Sequence, residues 1–385
     1  MSGKSKIEWT DTTWNPLHGC SDVSAGCTNC YAKREAHIHA SHPNAKLAAR
    51  FEGLTRISGG KICWTGKINL HEDKLVEPLH WKKPRRVFVN SQSDLFHEAV
   101  PFEFVDKVFA IMALCPQHIF QVLTKRPERM AEYFARKEPI TVRPAWFKAL
   151  GAMIDAMPEV PSNYHGLFKD RKLEYWENQL ACAEGTDRPF VELPDAPLKN
   201  VWLGTSVENQ KEADTRIPHL LRCPAAVRFL SCEPLLGPVD LVEGWEWLDS
   251  ERYNPCKCGD GECSTCWQVP AAPTIHWVIA GGESGPGARP MHPDWPRSLR
   301  DQCAVANVPF FFKQWGAYNY YPAPEQIDSS TFLVPGYTHR KMGKHEAGRT
   351  LDGKTHDGFP GQEVNADRAD EMLDEIAEGR VFPNV

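Results

Sequence analysis

Short apolar runs with β-strand character alternate along this chain with segments of helical periodicity. The run 86–90 is rich in β-branched and aromatic residues, whereas 102–114 repeats apolar side chains at helical spacing. This alternation is typical of an α/β fold with parallel strands. Because eight runs qualify as strands, the sequence predicts a (β/α)8 barrel or a partial TIM-like barrel of parallel strands. The predicted strands are 7–9, 67–70, 86–90, 119–123, 201–204, 227–230, 275–280 and 308–312.

Two irregular stretches, at about 137–198 and 243–273, interrupt the alternation and are interpreted as insertions. Residues 1–320 are therefore predicted to form the barrel with both insertions. Residues 321–385 are predicted to form a C-terminal extension of loops and an acidic helix, at 366–379, that packs on the barrel. The predicted helices cover 31–40, 102–114, a segment after 126, a segment ending at 222, and 294–306.

The composition is that of a globular protein, with 42% hydrophobic and 24% charged residues among 385. No apolar run approaches the length of a membrane span, and the polar N-terminus lacks a secretory signal, so a cytoplasmic location is expected. In that compartment the 13 cysteines are expected to be thiols or metal ligands. A formal net charge of −6 argues against nonspecific coating of nucleic acid, although it leaves room for a local basic groove.

Polar side chains follow most of the predicted strands. In a parallel barrel the carboxyl ends of the strands meet at one rim, where active sites lie, so these residues predict a site there. The alternative is that strand ends are polar simply because loops are polar. The residues concerned are His71 and Glu72; Asn90 to Asp94; Thr124 to Arg126; Thr205, Ser206, Glu208 and Asn209; Ser231 to Glu233; Glu283 and Ser284; and Lys313 and Gln314.

Three cysteines lie in one short loop after the first predicted strand. Six residues separate Cys20 from Cys27, and two separate Cys27 from Cys30. Three thiolates on one loop suit a metal ion or an iron–sulfur cluster with one coordination position left open. An open position is typical of a catalytic site rather than a structural one. They are also compatible with buried apolar cysteines or with half of a zinc site, and spacing alone does not separate zinc from iron–sulfur.

A second cysteine group lies in the later insertion, with the pattern C-x-C-x4-C-x2-C formed by Cys256, Cys258, Cys263 and Cys266. The surrounding loop is polar and rich in glycine, so it offers little apolar core for cysteines to join. The pattern therefore predicts a zinc site that folds the insertion. An auxiliary iron–sulfur cluster and a disulfide pair are the alternatives.

Several blocks of sequence, in order, resemble the phage-associated three-cysteine-motif family, a Gp37/Gp68-like domain of unknown function. That family is regarded as a divergent relative of the radical S-adenosylmethionine superfamily. The resemblance covers nearly the whole chain. Its blocks are Trp9–Pro16 leading into the cysteine loop, Asn90–Phe96, Leu123–Pro127, Gly204–Asn209, Gly281–Pro290 and Phe311–Gly316.

The resemblance implies that Cys20, Cys27 and Cys30 hold a 4Fe–4S cluster whose fourth iron is chelated by S-adenosylmethionine, giving a 5′-deoxyadenosyl radical. The chain departs from the superfamily pattern, because six residues rather than three separate the first two cysteines. By resemblance and position, several residues are assigned to cofactor contacts. Ser91 and Asp94 are assigned to the ribose or amino group, Lys125 or Arg126 to the methionine carboxylate, and Ser206, Glu208 and Glu283 to further contacts.

Cys232 is a candidate hydrogen-atom donor to a substrate radical, with plain packing in its strand as the alternative.

The first hypothesis for function is a radical S-adenosylmethionine enzyme supplied by a reductant protein, with a nucleobase or nucleic acid as candidate substrate. The second is a metal-stabilised nucleic-acid-binding or accessory phage protein without radical chemistry. A zinc hydrolase is disfavoured because the His-rich ligand spacing of catalytic zinc is missing.

Overall fold

The computed structural model describes residues 7–135, 197–242, 274–322, 331–334 and 337–361, with five isolated positions besides. Most of both predicted insertions lies outside the described residues, and so does the predicted helix 366–379. The four cysteines from Cys256 to Cys266 lie outside them too. The predictions for these segments stay predictions.

A seven-stranded parallel sheet is the main element of the structure. In spatial order its strands are β1, β6, β7, β8, β9, β10 and β11, so strand order follows chain order. Among the described residues, helices lie in the connections from β1 to β6, β6 to β7, β7 to β8, β8 to β9 and β10 to β11, as crossovers between parallel strands usually contain. The α/β fold is therefore confirmed and agrees with a partial TIM-like barrel. The strands are β1 (Thr12–Trp14), β6 (Arg86–Val89), β7 (Ile119–Thr124), β8 (Val201–Ser206), β9 (Val227–Cys232), β10 (Trp277–Gly281) and β11 (Phe310–Gln314).

Two of the eight predicted strands are wrong. Residues 7–9 form a turn, because Trp9 is buried by packing its ring on Phe88, 4.7 Å between centroids, instead of by pairing in the sheet. The first strand is β1, where Thr12 and Trp14 are buried and Thr13 is half-buried. Of 67–70, only β5 (Asn69–Leu70) is a strand, and it pairs antiparallel with β2 (Leu17–His18) outside the main sheet.

The helices agree closely with the predicted ones. In α4, which spans the predicted 102–114, the apolar residues at helical spacing are buried. The helix Asp294–Val305, α7, packs against β10 and β11. The helices are α1 (Tyr31–His39), α2 (Ala45–Phe51), α3 (Glu72–Leu75), α4 (Phe102–Leu114), α5 (Pro127–Ala135), α6 (Gln210–Leu221), α7 (Asp294–Val305) and α8 (Lys344–Ala347); two 3₁₀ turns cover Ala25–Cys27 and Glu77–His80.

Contacts divide the chain into two compact units. The first comprises Met1–Val23, Cys30–Leu203 and Cys223–Ala226, and the second comprises Ser24–Asn29, Gly204–Arg222 and Val227–Val385. The predicted boundary at residue 320 stays a prediction. The cysteine loop contributes to both units, with Cys20 and Cys30 in the first and Cys27 in the second.

Within the first unit, α1 and α2 pack together with a hairpin of β3 (Thr55–Ser58) and β4 (Lys61–Trp64). They share a small apolar cluster that includes Ala36, Phe51 and Trp64, and Cys20 and Cys30 pack against it. Two cysteines of the loop therefore pack against the same apolar cluster.

The segment after β11 departs from the predicted extension of loops, 321–385. It contains a three-stranded antiparallel sheet of β12 (Tyr318–Pro322), β14 (Tyr337–Lys341) and β13 (Thr331–Val334), in that spatial order. Its tyrosines are strand formers, which outweighed the neighbouring prolines. No helix among the described residues is both long enough and apolar enough to span a membrane.

Candidate functional site

Gly19 leads the chain from β2 into the cysteine loop. It forms a parallel bridge with Ser93, and its φ of +104° lies in a region that side chains rarely adopt. A Cβ atom at this position would lie 2.2 Å from the carbonyl oxygen of Lys67. The entry to the loop therefore requires glycine, both for its backbone conformation and for the close approach of another chain segment.

Arg126, which follows the carboxyl end of β7, holds the first part of the loop. Its Nη2 donates to the Ser21 carbonyl oxygen at 3.2 Å and to Ser21 Oγ at 2.7 Å. Its Nη1 lies 3.8 Å from Cys20 Sγ. A guanidinium this close favours the thiolate form of cysteine, which is the form that binds metal.

Asp94 fixes the orientation of Arg126, and both side chains are buried. Its Oδ2 accepts from Arg126 Nη1 at 3.0 Å and from the Lys125 backbone N–H, while its Oδ1 accepts from Thr124 Oγ1 at 2.7 Å. Burial opposes the charge of Arg126, but the nearby Asp94, Cys20 and Glu98 raise its pKa above the ordinary value. Two of the predicted site residues thus form one buried ion pair behind the loop.

His97 was not singled out from the sequence, yet it also contacts the loop. Its Nδ1 accepts from the Ala99 backbone N–H, so in the neutral ring the proton lies on Nε2, which donates to Ser21 Oγ at 2.9 Å. Burial, with a contribution from Arg126, lowers the pKa of His97. The ring is therefore neutral near pH 7, and a single histidine after a polar strand end carries no sequence signal for this contact.

A second buried ion pair holds the middle of the loop, and all its residues belong to the second unit. Glu208, after the end of β8, accepts from Ser24 Oγ at 2.8 Å and from Arg216 Nη1 at 2.8 Å. The Glu208 side chain is fully buried. A buried carboxylate is stable only when paired and hydrogen-bonded, so the position of Ser24 is tied to this pair.

Glu283, after the end of β10, holds the last part of the same loop segment. Its Oε2 accepts from Asn29 Nδ2 at 3.0 Å and from Arg289 Nε at 2.8 Å, and Arg289 Nη2 reaches the Ala25 carbonyl oxygen at 2.9 Å. Burial alone would raise the pKa of Glu283, but the hydrogen bonds from Arg289 and Asn29 lower it. The carboxyl group is therefore ionised near pH 7 and anchors the loop.

The remaining predicted residues lie at strand ends but are committed to local contacts. Ser91 Oγ donates to Asn15 Oδ1 at 3.2 Å, and the Ser206 carbonyl oxygen accepts from Arg216. Lys125 contributes its backbone N–H to Asp94. Cys232 is fully buried next to Cys303 of α7, and burial followed by the charge of Glu208 raises its pKa. Its thiol therefore keeps its hydrogen near pH 7.

Asn90 is a buried polar residue at a strand end whose side-chain amide makes no hydrogen bond among the described residues. It is 3% exposed, and neither its Oδ1 nor its Nδ2 has a hydrogen-bond partner among the described residues. Its φ of +62° is left-handed, although its backbone N–H continues the ladder by donating to the Trp14 carbonyl oxygen. Leaving both amide atoms unsatisfied costs about 1–3 kcal/mol for each group, which favours a role in contacting a ligand.

The sequence matches one protein family over residues 4–360, a family described as "Protein of unknown function (DUF5131)". The chain belongs to the DUF5131 family. Comparison with curated proteins and comparison with solved structures each gave no match. The family assignment covers both units and agrees with the predicted resemblance as far as a domain of unknown function.

The donor set of the cysteine loop in this DUF5131 chain fits an iron–sulfur cluster in its chemistry. Cys20, Cys27 and Cys30 are thiols and not disulfides; Cys27 is buried and the other two are half-buried. Among the residues that the structure describes, however, no group of three or more His, Cys, Asp or Glu side chains is arranged to hold a metal ion. Joint ligation by the three thiols is therefore a proposal.

Proposed function

We propose that this chain is an iron–sulfur enzyme of the radical S-adenosylmethionine type, related to the phage three-cysteine-motif proteins. Cys20, Cys27 and Cys30 would hold the cluster. One observation carries the proposal: a loop with three thiols is fixed by buried charged residues that follow three strands of a parallel sheet. These anchors are Arg126 after β7, Glu208 after β8 and Glu283 after β10. Active sites of such folds lie at the carboxyl ends of the strands.

The anchors support a site better than a plain structural loop. Burying a charged side chain costs several kcal/mol unless it is paired, and an apolar contact would hold a surface loop at no such cost. Each anchor makes at least one hydrogen bond to the cysteine loop, at Ser21, Ser24 or Asn29, in addition to its ion pair. Such contacts fix the loop at residues adjacent to or between the three cysteines, and a ligand-binding loop needs this support more than a connecting loop does.

Within this proposal the residues of the chain have distinct tasks. The cluster with bound S-adenosylmethionine would supply a 5′-deoxyadenosyl radical. Arg126, which is buried beside Asp94, favours the thiolate of Cys20. The unsatisfied amide of Asn90 offers an NH2 group as donor and a carbonyl oxygen as acceptor to the bound molecule. The thiol of Cys232 keeps the hydrogen that a hydrogen-atom donor must have. If the variant Cys232→Ala turns over substrate at the wild-type rate, Cys232 is not the hydrogen-atom donor.

The decisive experiment is anaerobic reconstitution with iron and sulfide, followed by S-adenosylmethionine and dithionite, with 5′-deoxyadenosine measured by mass spectrometry. The wild type is expected to release 5′-deoxyadenosine, and Cys27→Ala is expected to release none. Cys63→Ala is the matched control, because Cys63 is a half-buried thiol of the β3–β4 hairpin outside the loop. An iron-loaded wild type that releases none would refute the radical reaction.

The alternative function is a metal-stabilised nucleic-acid-binding protein without radical chemistry. The colour and metal content of the protein from the same reconstitution distinguish the two functions. A brown protein whose absorbance bleaches on reduction supports the enzyme, whereas a colourless protein that contains zinc supports the alternative.

A further inference from the structure

Residues 31–67 form a strongly basic part of an acidic chain. They carry seven lysine and arginine residues against two acidic residues, while the whole chain has a net charge of −6. The segment consists of α1, α2 and the β3–β4 hairpin around their shared apolar cluster, and it is called the basic lobe below. Charge of one sign gathered on one part of an acidic protein is the electrostatic footprint of a polyanion-binding site.

Three of the cations in the basic lobe have partners, two of them outside the lobe and one within it. Lys33 is buried and pairs with Asp22 at 2.6 Å, and Arg50 pairs with Asp73 at 2.7 Å. Lys67 Nζ donates to the Glu52 carbonyl oxygen at 3.1 Å. These residues stabilise the lobe, and they leave its other charges to face solvent.

The other four cations, by contrast, are exposed. Within the part of the chain that the structure describes, none of their side chains has an acidic partner. Arg34 lies on α1 and Lys46 on α2, while Arg56 and Lys61 lie on the hairpin. Like charges without acidic partners repel one another, so an arrangement of this kind is stabilised when an anion binds.

The hairpin presents its two cations on one face. Arg56 is opposite Cys63, and Ser58 is opposite Lys61, so the period of two places Arg56 and Lys61 on the same side of the ribbon. Trp64 points to the other side, into the apolar cluster. The turn is Gly59-Gly60, with φ values of +54° and +72°, and Ile57 next to it is 65% exposed.

We propose that the basic lobe binds nucleic acid through the outer face of the β3–β4 hairpin, with Arg56 and Lys61 contacting phosphates. A two-stranded ribbon is narrow enough to enter the major groove of a duplex or to follow a single strand. Arg34 and Lys46 add to the attraction at longer range. A lipid surface fits less well, because Ile57 is the only large apolar side chain that the described hairpin exposes strongly.

The lobe also adjoins the candidate site. Helix α1 begins directly after Cys30, and Tyr31 at its start is 51% exposed while its hydroxyl donates to the Ser91 carbonyl oxygen at 2.6 Å. This inference deepens the proposed function by giving it a substrate class. Binding to phosphates needs no cluster, so a failure of cluster assembly would leave the binding test below unchanged.

The test is fluorescence anisotropy of the full chain with a labelled single-stranded oligonucleotide and with its duplex, between about 50 and 200 mM salt. The variant Arg56→Glu/Lys61→Glu is expected to weaken binding about tenfold or more. It should also make the plot of log K against log salt shallower by about 1.4 to 1.8, because each of the two lost phosphate contacts removes about 0.7 to 0.9. The probe that the wild type binds more tightly identifies the form of nucleic acid.

The matched control is Lys211→Glu/Arg222→Glu, which gives the same net charge by replacing two exposed cations outside the lobe. It should bind both probes as the wild type does. Equal losses in both variants would show that total charge, and not the hairpin, decides binding, and would overturn the proposal. So would hairpin-variant binding equal to that of the wild type, or hairpin-dependent binding to vesicles of anionic phospholipid with none to either oligonucleotide.

Discussion

Asn90 shows how a single residue can be held ready for a ligand. Asparagine tolerates the left-handed conformation better than other non-glycine residues, so its φ of +62° needs no special support. The unsatisfied amide is the costly part, since buried polar groups are nearly always hydrogen-bonded. A bound molecule that satisfies both amide atoms would recover that cost.

Replacing Asn90 with glycine should therefore separate binding from stability. Glycine keeps the left-handed backbone and removes the unsatisfied amide, so the unliganded protein should unfold at the wild-type temperature or slightly higher. Affinity for S-adenosylmethionine should fall by about tenfold, as expected for the loss of about 1–2 kcal/mol of hydrogen bonding. Isothermal titration calorimetry of the reconstituted protein measures this affinity, and thermal unfolding of the unliganded protein measures its stability.

Asn307→Gly is the matched control, because Asn307 is also left-handed, with a φ of +53°, but is exposed. It should leave the affinity unchanged. If Asn90→Gly binds as tightly as this control, Asn90 does not contact the ligand.

At the scale of elements, the cysteine loop depends on the strands that precede its anchors. Sequence reasoning selected Asp94, Arg126, Glu208 and Glu283 as candidate cofactor contacts, because polar residues at the ends of parallel strands are recognisable; their contact with a cofactor stays a prediction. It did not find that these side chains pair with Arg216, Arg289 and the loop itself, since such contacts join residues far apart in sequence. Spacing predicts which residues share an edge of a sheet, and only three-dimensional packing decides which side chains meet.

Gly19, at the start of the cysteine loop, is predicted not to tolerate a side chain. Gly19→Ala should destabilise the protein by about 1–2 kcal/mol for the left-handed conformation. A further 1–3 kcal/mol or so is expected from the clash with the Lys67 carbonyl oxygen. Urea denaturation of both proteins measures the difference in the free energy of unfolding.

Gly59→Ala separates these two contributions. Gly59 also has a positive φ, of +54°, but a Cβ atom there would meet nothing within 4 Å. It should show the conformational cost alone. Equal losses for the two variants would mean that the approach of Lys67 places no constraint on the loop.

The Glu283 anchor should make the stability of the protein depend on pH. Its folded pKa is lowered by Arg289 and Asn29, so the unfolded state binds the proton more readily. The stabilisation is therefore fully present above the ordinary carboxyl pKa of about 4.3 and is lost as the pH falls through the lower folded pKa. The variant Glu283→Gln should lose about 1–3 kcal/mol at pH 7, and its difference from the wild type should shrink below about pH 4.

Thermal unfolding of both proteins between pH 7 and pH 3 measures this dependence. Glu346→Gln, which changes an exposed carboxylate on α8, is the control and should match the wild type throughout. A constant difference between Glu283→Gln and the wild type across the whole range would contradict an ionised anchor.

For the whole molecule, hydrophobic periodicity predicted the fold class and most elements, and its errors have physical causes. Trp9 is buried by packing against Phe88 and is not part of a strand. Asn69–Leu70 pairs with β2 instead of with the main sheet. Sequence reasoning left room for a local basic groove despite the net charge of −6, but it did not locate the basic lobe. An average over 385 residues carries no information on where charges lie.

The central claim is that Cys20, Cys27 and Cys30 jointly hold one iron–sulfur cluster, and iron and acid-labile sulfide per chain test it most directly. After anaerobic reconstitution, Cys20→Ala, Cys27→Ala and Cys30→Ala should each lose the iron of one whole cluster relative to the wild type, whereas Cys63→Ala should lose none. Iron and sulfide at the wild-type level in any of the three loop variants would contradict the account.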